Sequence, residues 1–237
     1  MNILKEFSLN DKCSYLDNKE QTTDYKFIND CSAYHTQELI ERGYRRFGKM
    51  YFRPVCDGCH ECQSIKIDVE NYVFSKSEKR VLKKSKELTT YIQTPTISKN
   101  HLSVFDSYHR HMSKKKDWSF QTTTAEHYYH SFVVGHEEYG KEVLYFDNDQ
   151  LVGVDLIDIL EDGISSIYFY YDPKYSHLSP GKLSLLNQIR FAKELKKKWI
   201  YLGYYVEGCS SLNYKAQYKP YTTLQGRPSL DSEYIWT

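Results

Sequence analysis

The densest run of chemically capable side chains is Cys56-Asp57-Gly58-Cys59-His60-Glu61-Cys62. Its spacing brings three thiolates within reach of one ion, and Gly58 permits the tight turn that this requires. A ferredoxin run would place its next cysteine where Lys66 stands, and a zinc ribbon would need a second C-x2-C pair that the sequence lacks. Cys13, Cys31 or His60 would have to complete a tetrahedron. Cys56, Cys59 and Cys62 therefore read either as ligands of a structural zinc or iron–sulfur cluster, or as reduced thiols packing a knot of backbone. Cys209, between Gly208 and Ser210, has the chemistry of a nucleophile, but no histidine follows it in the chain.

Cations form the second constellation. Residues 76–86 hold Lys76, Lys79, Arg80, Lys83, Lys84 and Lys86 against Glu78 alone, a local charge of +5. Residues 110–116 hold Arg110, Lys114, Lys115 and Lys116 with no acid, a local +4. The whole chain of 237 residues carries only +1, so the remainder is at −8. Two concentrated positive stretches on an acidic body suit a polyanion bound at one place.

The elements that must position these groups are legible in part. Ser75-x-x-Glu78 has capping-box spacing and predicts a helix start, with Val81, Leu82, Ser85 and Leu88 on one side and Lys79, Arg80, Lys83, Lys84 and Lys86 around the rest. Such a face is also what an ordinary solvated helix shows. Ser32 to Arg42, stopped by Gly43, reads as another helix, and segments around Tyr51 and at Ser64 to Val69 read as strands. Further on, Leu151 to Ile159, a turn at Glu161-Asp162-Gly163 and Ile164 to Tyr171 read as a hairpin. Ser179-Pro180-Gly181 offers an N-cap serine and a first-turn proline, and Leu183, Leu186, Ile189, Ala192 and Leu195 give a helical stripe. Trp199 to Val206 returns as a strand, making a ββαβ unit in a mixed α/β (α+β) chain. The helix start at Ser179 and Gly181 is a place where such a fold can receive a phosphate. The polar stretch from Thr89 to Asn100 suggests an N-terminal region over 1–95, with the cysteines and the basic helix, and a C-terminal domain over 96–237.

Composition bounds the class. Apolar residues make up 40% and charged residues 27%, with 23 Tyr, 11 Phe and 3 Trp, a ring content that opposes disorder. Mean hydropathy is −0.67, and no window approaches the ~18 apolar residues of a membrane span. The start, Met1-Asn2-Ile3-Leu4-Lys5-Glu6, meets charge too early for a secretory signal. The expectation is a cytoplasmic protein with reduced thiols and no membrane partner.

Two stretches go beyond pattern. Gly43-Tyr44-Arg45-Arg46-Phe47-Gly48, followed by Tyr51-Phe52-Arg53-Pro54 and the cysteine run, resembles the N-terminal motif of the arginyl-tRNA:protein transferase family. Tyr201 to Cys209, followed by Tyr214-Lys215-Ala216 with Tyr218 and Pro220, resembles its C-terminal motif, and Ser166 to Pro173 lies between them. The length is similar to the short bacterial branch. Two departures stand out: Pro180 where a leucine is common, and Ser211-Leu212 in place of a basic residue and methionine. The resemblance implies a GNAT-like acyltransferase fold. It also implies transfer of leucine from Leu-tRNA to proteins beginning with Asp or Glu, which marks them for N-degron proteolysis.

That chemistry needs no cofactor. The donor ester is already activated, and the attacking α-amine has an ordinary pKa of ~7.7 to 8.0. The enzyme must mainly hold amine and carbonyl together and supply donors to the oxyanion. An acidic N-terminal residue calls for a guanidinium, which makes Arg45, Arg46 and Arg53 the candidates, unless they pair with internal acids or tRNA phosphates. Tyr168, Tyr204 and Tyr214 could donate to carbonyl or ribose oxygens or simply pack. Asp172 or Glu207 could accept the amine proton, with Lys215 close by in the motif, although Asp172 before proline also suits a strand end. Lys79, Arg80, Lys83, Lys84 and Lys86, with Ser179 and Gly181, are the expected tRNA contacts. The alternative is an RNA-binding module with a small zinc knuckle and no transferase activity.

Overall fold

The computed structural model describes residues 1–116, 118–135 and 138–237. It opens on an antiparallel hairpin, β1 (Asn2–Lys12) and β2 (Glu20–Asn29). Sequence pattern gave no hint of β1, because nine of its eleven residues are exposed and no apolar alternation develops. Helix α1 (Ala33–Glu41) follows, ended by Gly43 at φ +85° as predicted, and Ser32 Oγ caps it by accepting from the His35 N–H. The short strands β3 (Arg45–Phe47) and β4 (Met50–Pro54) complete a four-stranded sheet in the order β1-β2-β4-β3.

After the cysteine run the chain enters a second sheet at β5 (Gln63–Asp68) and passes to α2 (Lys76–Lys84). The capping box is complete: the Glu78 N–H donates to Ser75 Oγ at 3.3 Å, and the Ser75 N–H donates to Glu78 Oε2 at 2.8 Å. The remaining elements are β6 (Thr89–Gln93), α3 (Lys99–Lys116), α4 (Ala125–Tyr128) running into a π-turn at Tyr129–Val133, β7 (Gly140–Asp147), β8 (Gln150–Ile159), β9 (Gly163–Tyr171), α5 (Pro180–Glu194), β10 (Trp199–Tyr205) and β11 (Tyr221–Thr223).

The second sheet has seven strands in the order β11-β5-β10-β9-β8-β7-β6. It takes β5 and β6 from residues 1–95 and the rest from beyond, so the expected boundary at 95/96 runs through one hydrogen-bonded sheet. The Thr89 to Gln93 part of the presumed linker is its edge strand, exposed along its length and therefore polar in sequence. Helix α5 covers one face, packing Leu183, Leu186, Ile189 and Ala192 onto Ile65, Ile157, Ile164 and Ile200. Helix α3 covers the other, with Val104 and Phe105 against Leu144, Val154 and Tyr170. Strand β8 contributes to both cores, which is why it reads as a continuous apolar run. Leu195, expected to extend the α5 stripe, caps the helix and is exposed instead. No helix among the described residues is long and apolar enough to cross a membrane.

Candidate active site

Strands β9 and β10 are parallel neighbours, yet they pair only over Gly163–Ser165 and Trp199–Tyr201. Beyond that point they part, and the fork opens into a cleft of about 630 Å³ bordered by Ser166, Tyr168, Gly203, Tyr204, Tyr214 and Lys215. A pair of strands that separates leaves backbone carbonyls without ladder partners, and these must be satisfied in another way. Arg45 does so. Its Nη1 donates to Ser165 Oγ at 3.1 Å and to the Tyr201 carbonyl at 3.5 Å, and its Nη2 donates to the Ser166 carbonyl, so one guanidinium bridges both arms of the fork.

Strand β10 is shaped for this. A register shift interrupts its pairing with β5 between Tyr201 and Gly203, and Gly203 has φ +76°. A Cβ at Gly203 would lie 2.8 Å from Arg45 Nε. The glycine is required twice over, by its backbone conformation and by the arginine lying across it. Among the described residues no carboxylate lies within ion-pair distance of Arg45, and burial lowers its pKa. A cation in that position is a ready partner for an anion arriving in the cleft.

The other two candidate arginines are occupied. Arg46 borders the cleft, but its Nε donates to Asp158 Oδ2 at 2.7 Å and its Nη2 to Asp158 Oδ1, a bidentate pair in which both side chains are buried. Arg53 Nη1 donates to the carbonyls of Arg42 and Pro228, and its guanidinium stacks 4.5 Å from the Tyr44 ring. Both are corrections to the sequence reading, which had no means of ranking three arginines within one nine-residue stretch.

Lys215 enters the cleft from the 3₁₀ turn Asn213–Gln217 and is buried, with Nζ donating to the Tyr204 carbonyl at 2.6 Å. Burial, reinforced by the Arg45 charge, brings its pKa down to about 7, against the pull of Cys209 in the other direction. An amine of that pKa exchanges protons readily with an α-ammonium near neutrality.

The remaining expected residues divide. Tyr168 and Tyr214 border the cleft, Tyr214 at its exposed rim. The Tyr204 ring also borders it, but its hydroxyl is turned to the Gly43 and Phe52 carbonyls, 3.0 and 3.1 Å away, and so ties β10 to the N-terminal sheet. Asp172 does not reach the cleft: its carboxylate caps the turn Pro173–Leu178 by accepting from the Lys174 N–H, the strand-end role. Glu207 is exposed and outside the cleft lining. Ser179 precedes α5 but lies at φ +55° and makes no side-chain cap, contrary to expectation. The Lys182 and Leu183 N–H groups bond to the Ser179 carbonyl and Pro180 has none, so Gly181, on the cleft edge, is the early N–H of α5 with no acceptor among the described residues.

Beneath the cleft, Asp155 accepts from Ser184 Oγ at 2.6 Å and from Gln188 Nε2 at 2.9 Å, and burial raises its pKa to about 7. Nothing in the sequence distinguished this aspartate from its neighbours on β8, nor His109, which bonds to Tyr168 from behind the cleft wall.

All six cysteines are free. The Thr22 N–H donates to Cys56 Sγ at 3.4 Å, and Arg227 clamps the knot through the carbonyls of Cys56 and Cys59. Burial, then the nearby Cys13, Cys56 and Cys59, push the Cys62 thiol up to about 12. Cys31 lies elsewhere, accepting from Thr36 Oγ1 within the core of the first sheet. Among the described residues no three His, Cys, Asp or Glu side chains are placed to hold one ion.

Lys79 and Lys83 of α2, with Lys86 in the turn after it, border a second, basic cleft of about 550 Å³, joined there by Arg190 of α5. Arg80 is exposed outside its lining, and Lys84 Nζ donates to the His177 carbonyl at 2.6 Å.

Two family models match the chain: the C terminus of arginine-tRNA-protein transferase over residues 100–225 and its N terminus over 11–80. An aspartate/glutamate leucyltransferase of Campylobacter jejuni subsp. jejuni serotype O:6 is 46% identical over 230 residues, 97% of this chain and 96% of that protein. The chain belongs to this family. A relative of the same description from Helicobacter hepaticus is 40% identical over 236 residues, 100% of this chain and 98% of that one. Among solved structures, FemX gives a TM-score of 0.45 at 8% identity, covering 90% of this chain and 66% of that chain. The segment that carries Arg45 and the segment that carries Gly203 and Lys215 meet at the fork of β9 and β10, although more than a hundred residues separate them in sequence.

Proposed function

We propose that the chain transfers leucine from Leu-tRNA to the α-amine of proteins that begin with Asp or Glu, marking them for N-degron proteolysis. The observation that carries this reading is Arg45: a cleft guanidinium with no carboxylate partner among the described residues, fixed by backbone carbonyls of both strands. Full-length relatives described as aspartate/glutamate leucyltransferases support the same donor and acceptor. The parting of β9 and β10 supports a GNAT-like reading of the mixed α/β fold. Six free thiols suit a reducing cytoplasm.

In this reading the acceptor's side-chain carboxylate pairs with Arg45, which brings its α-ammonium into the cleft beside Lys215. Neutral Lys215 takes a proton from that ammonium. The freed amine attacks the ester carbonyl carbon, a C–N bond forms, the C–O bond to the tRNA ribose breaks, and the second amine proton ends on the departing ribose oxygen. Tyr214 and the Gly181 N–H are the donors available at the rim. Holding the two reactants supplies most of the acceleration, since the ester needs no further activation. The basic cleft between α2 and α5, with Lys79, Lys83, Lys86 and Arg190, takes tRNA phosphates away from the reacting carbonyl. We read Cys56, Cys59 and Cys62 as thiols packing their knot, with no part in the reaction.

The test is incubation with a mixture of charged tRNAs and a peptide beginning with Asp. A mass gain of one leucyl residue at the N-terminus supports the reading. A gain of another residue, or equal extension of a peptide beginning with Lys, contradicts it.

A further inference from the structure

His109 of α3 stands behind the wall of the cleft, and both its ring nitrogens are engaged. Nδ1 lies 2.8 Å from the Phe105 carbonyl oxygen, and Nε2 lies 2.8 Å from the Tyr168 hydroxyl. A carbonyl oxygen only accepts, so Nδ1 carries the proton. In a neutral imidazole Nε2 is then an acceptor, and the Tyr168 O–H is the group that must donate to it. Burial, which outweighs the nearby Asp106, lowers the His109 pKa and favours that neutral form.

Packing holds the pair in register. The His109 ring lies 4.0 Å from Phe105 centroid to centroid and runs nearly parallel to Tyr168, 10° apart at 5.9 Å. Tyr168 borders both the fork cleft and an apolar cavity of about 730 Å³ on its far side, whereas His109 borders only the latter. The histidine therefore never meets the reactants in the cleft. Its effect is on the tyrosine: with its single proton directed at Nε2, the Tyr168 hydroxyl presents lone pairs in other directions. The oxyanion donor expected from sequence becomes an acceptor.

Resting on the transferase reading, we propose that His109 is a positioning residue that keeps the Tyr168 proton turned away from the cleft, so that the Tyr168 oxygen accepts an N–H of the attacking α-amine. A primary amine attacks through its lone pair, and its two N–H bonds need acceptors that fix that lone pair on the ester carbon. Lys215, in its neutral form, receives the proton that leaves, and Tyr168 orients what remains.

Two measurements test this on the full chain. Ring ¹⁵N shifts at neutral pH report the tautomer without any catalysis. His109 is expected with Nδ1 protonated and Nε2 bare, and Tyr168→Phe should move the Nε2 resonance. A protonated Nε2, or an Nε2 indifferent to Tyr168→Phe, overturns the proposal. In leucyl transfer to an Asp-start peptide, His109→Phe and Tyr168→Phe should each lower kcat about tenfold, with KM for the charged tRNA unchanged, and the double variant should lose no more than either alone. His109→Gln, whose side-chain oxygen accepts the same hydrogen bond, should recover most of the rate. Additive losses near one hundredfold, or a glutamine variant as slow as the phenylalanine one, contradict it. Absence of leucyl transfer by the wild-type chain would fail the functional reading, while the nitrogen shifts would still decide the hydrogen-bond arrangement.

Discussion

Neighbouring residues of one type do different work here because their surroundings differ. Arg46 is closed against Asp158 in a buried pair, and removing one partner of such a pair leaves the other charge uncompensated. Arg46→Met should therefore lower stability by about 3–5 kcal/mol, read by denaturant unfolding, while any active remainder keeps its preference for acidic N-termini. Gly203→Ala places a Cβ against Arg45 at a backbone conformation that costs an L-residue about 1–2 kcal/mol. Loss of activity beyond the loss of folded protein is expected, since the arginine must move.

Lys215 gives a pH signature. Its pKa in the fold is about 7, below the ordinary lysine value, so between that pH and ~10.4 the unfolded chain binds more protons and stability rises with pH. Lys215→Met should then be stabilising below pH ~7, with a gain that shrinks toward pH ~10.4, while the limb of kcat/KM that rises through pH ~7 disappears. Stabilisation that grows with pH would contradict the assignment. Cys62, held up to about 12, should resist alkylation at pH ~8.5, where an ordinary cysteine is half thiolate.

At the scale of elements, local signals were read where local chemistry sets them. The Ser75–Glu78 capping box, the helix from Ser32 stopped by Gly43, and the apolar stripe of α5 as far as Ala192 each lie within one turn or one helix, and each forms as predicted. Strands β1, β6 and β11 gave little signal, because an exposed edge needs no apolar pattern and pairing is fixed by residues far away in sequence. The basic face of α2 was visible, but Arg190 was not, since it reaches the same cleft from a helix a hundred residues later. This cleft carries its own test. Replacing Lys79, Lys83 and Lys86 with Ala should flatten the salt dependence of tRNA binding by ~2 to 3 units, and adding Arg190→Ala by ~1 more. An unchanged slope would make it a solvated face.

For the molecule as a whole, the site exists only because one sheet takes strands from both parts of the chain. Strand β5 pairs with β10, and Arg45, from β3 of the other sheet, reaches into the fork between β9 and β10. The two motifs were legible in sequence, with Arg45 and Lys215 among their residues and Tyr168 in the stretch between them. Which arginine faces the cleft was not, because the answer lies in Asp158, in two backbone carbonyls and in a bulge at Gly203. The central claim is that Arg45 reads the acidic side chain of the acceptor. The direct measurement is the ratio of kcat/KM for peptides beginning with Asp and with Asn, in the wild-type chain and in Arg45→Gln. The wild type should favour Asp by about a hundredfold, the worth of a charge-assisted pair of roughly 3 kcal/mol, and Arg45→Gln should bring the ratio close to one by lowering the Asp rate alone. An Arg45→Gln chain that keeps the wild-type ratio, or that loses both rates in equal measure, would contradict the account.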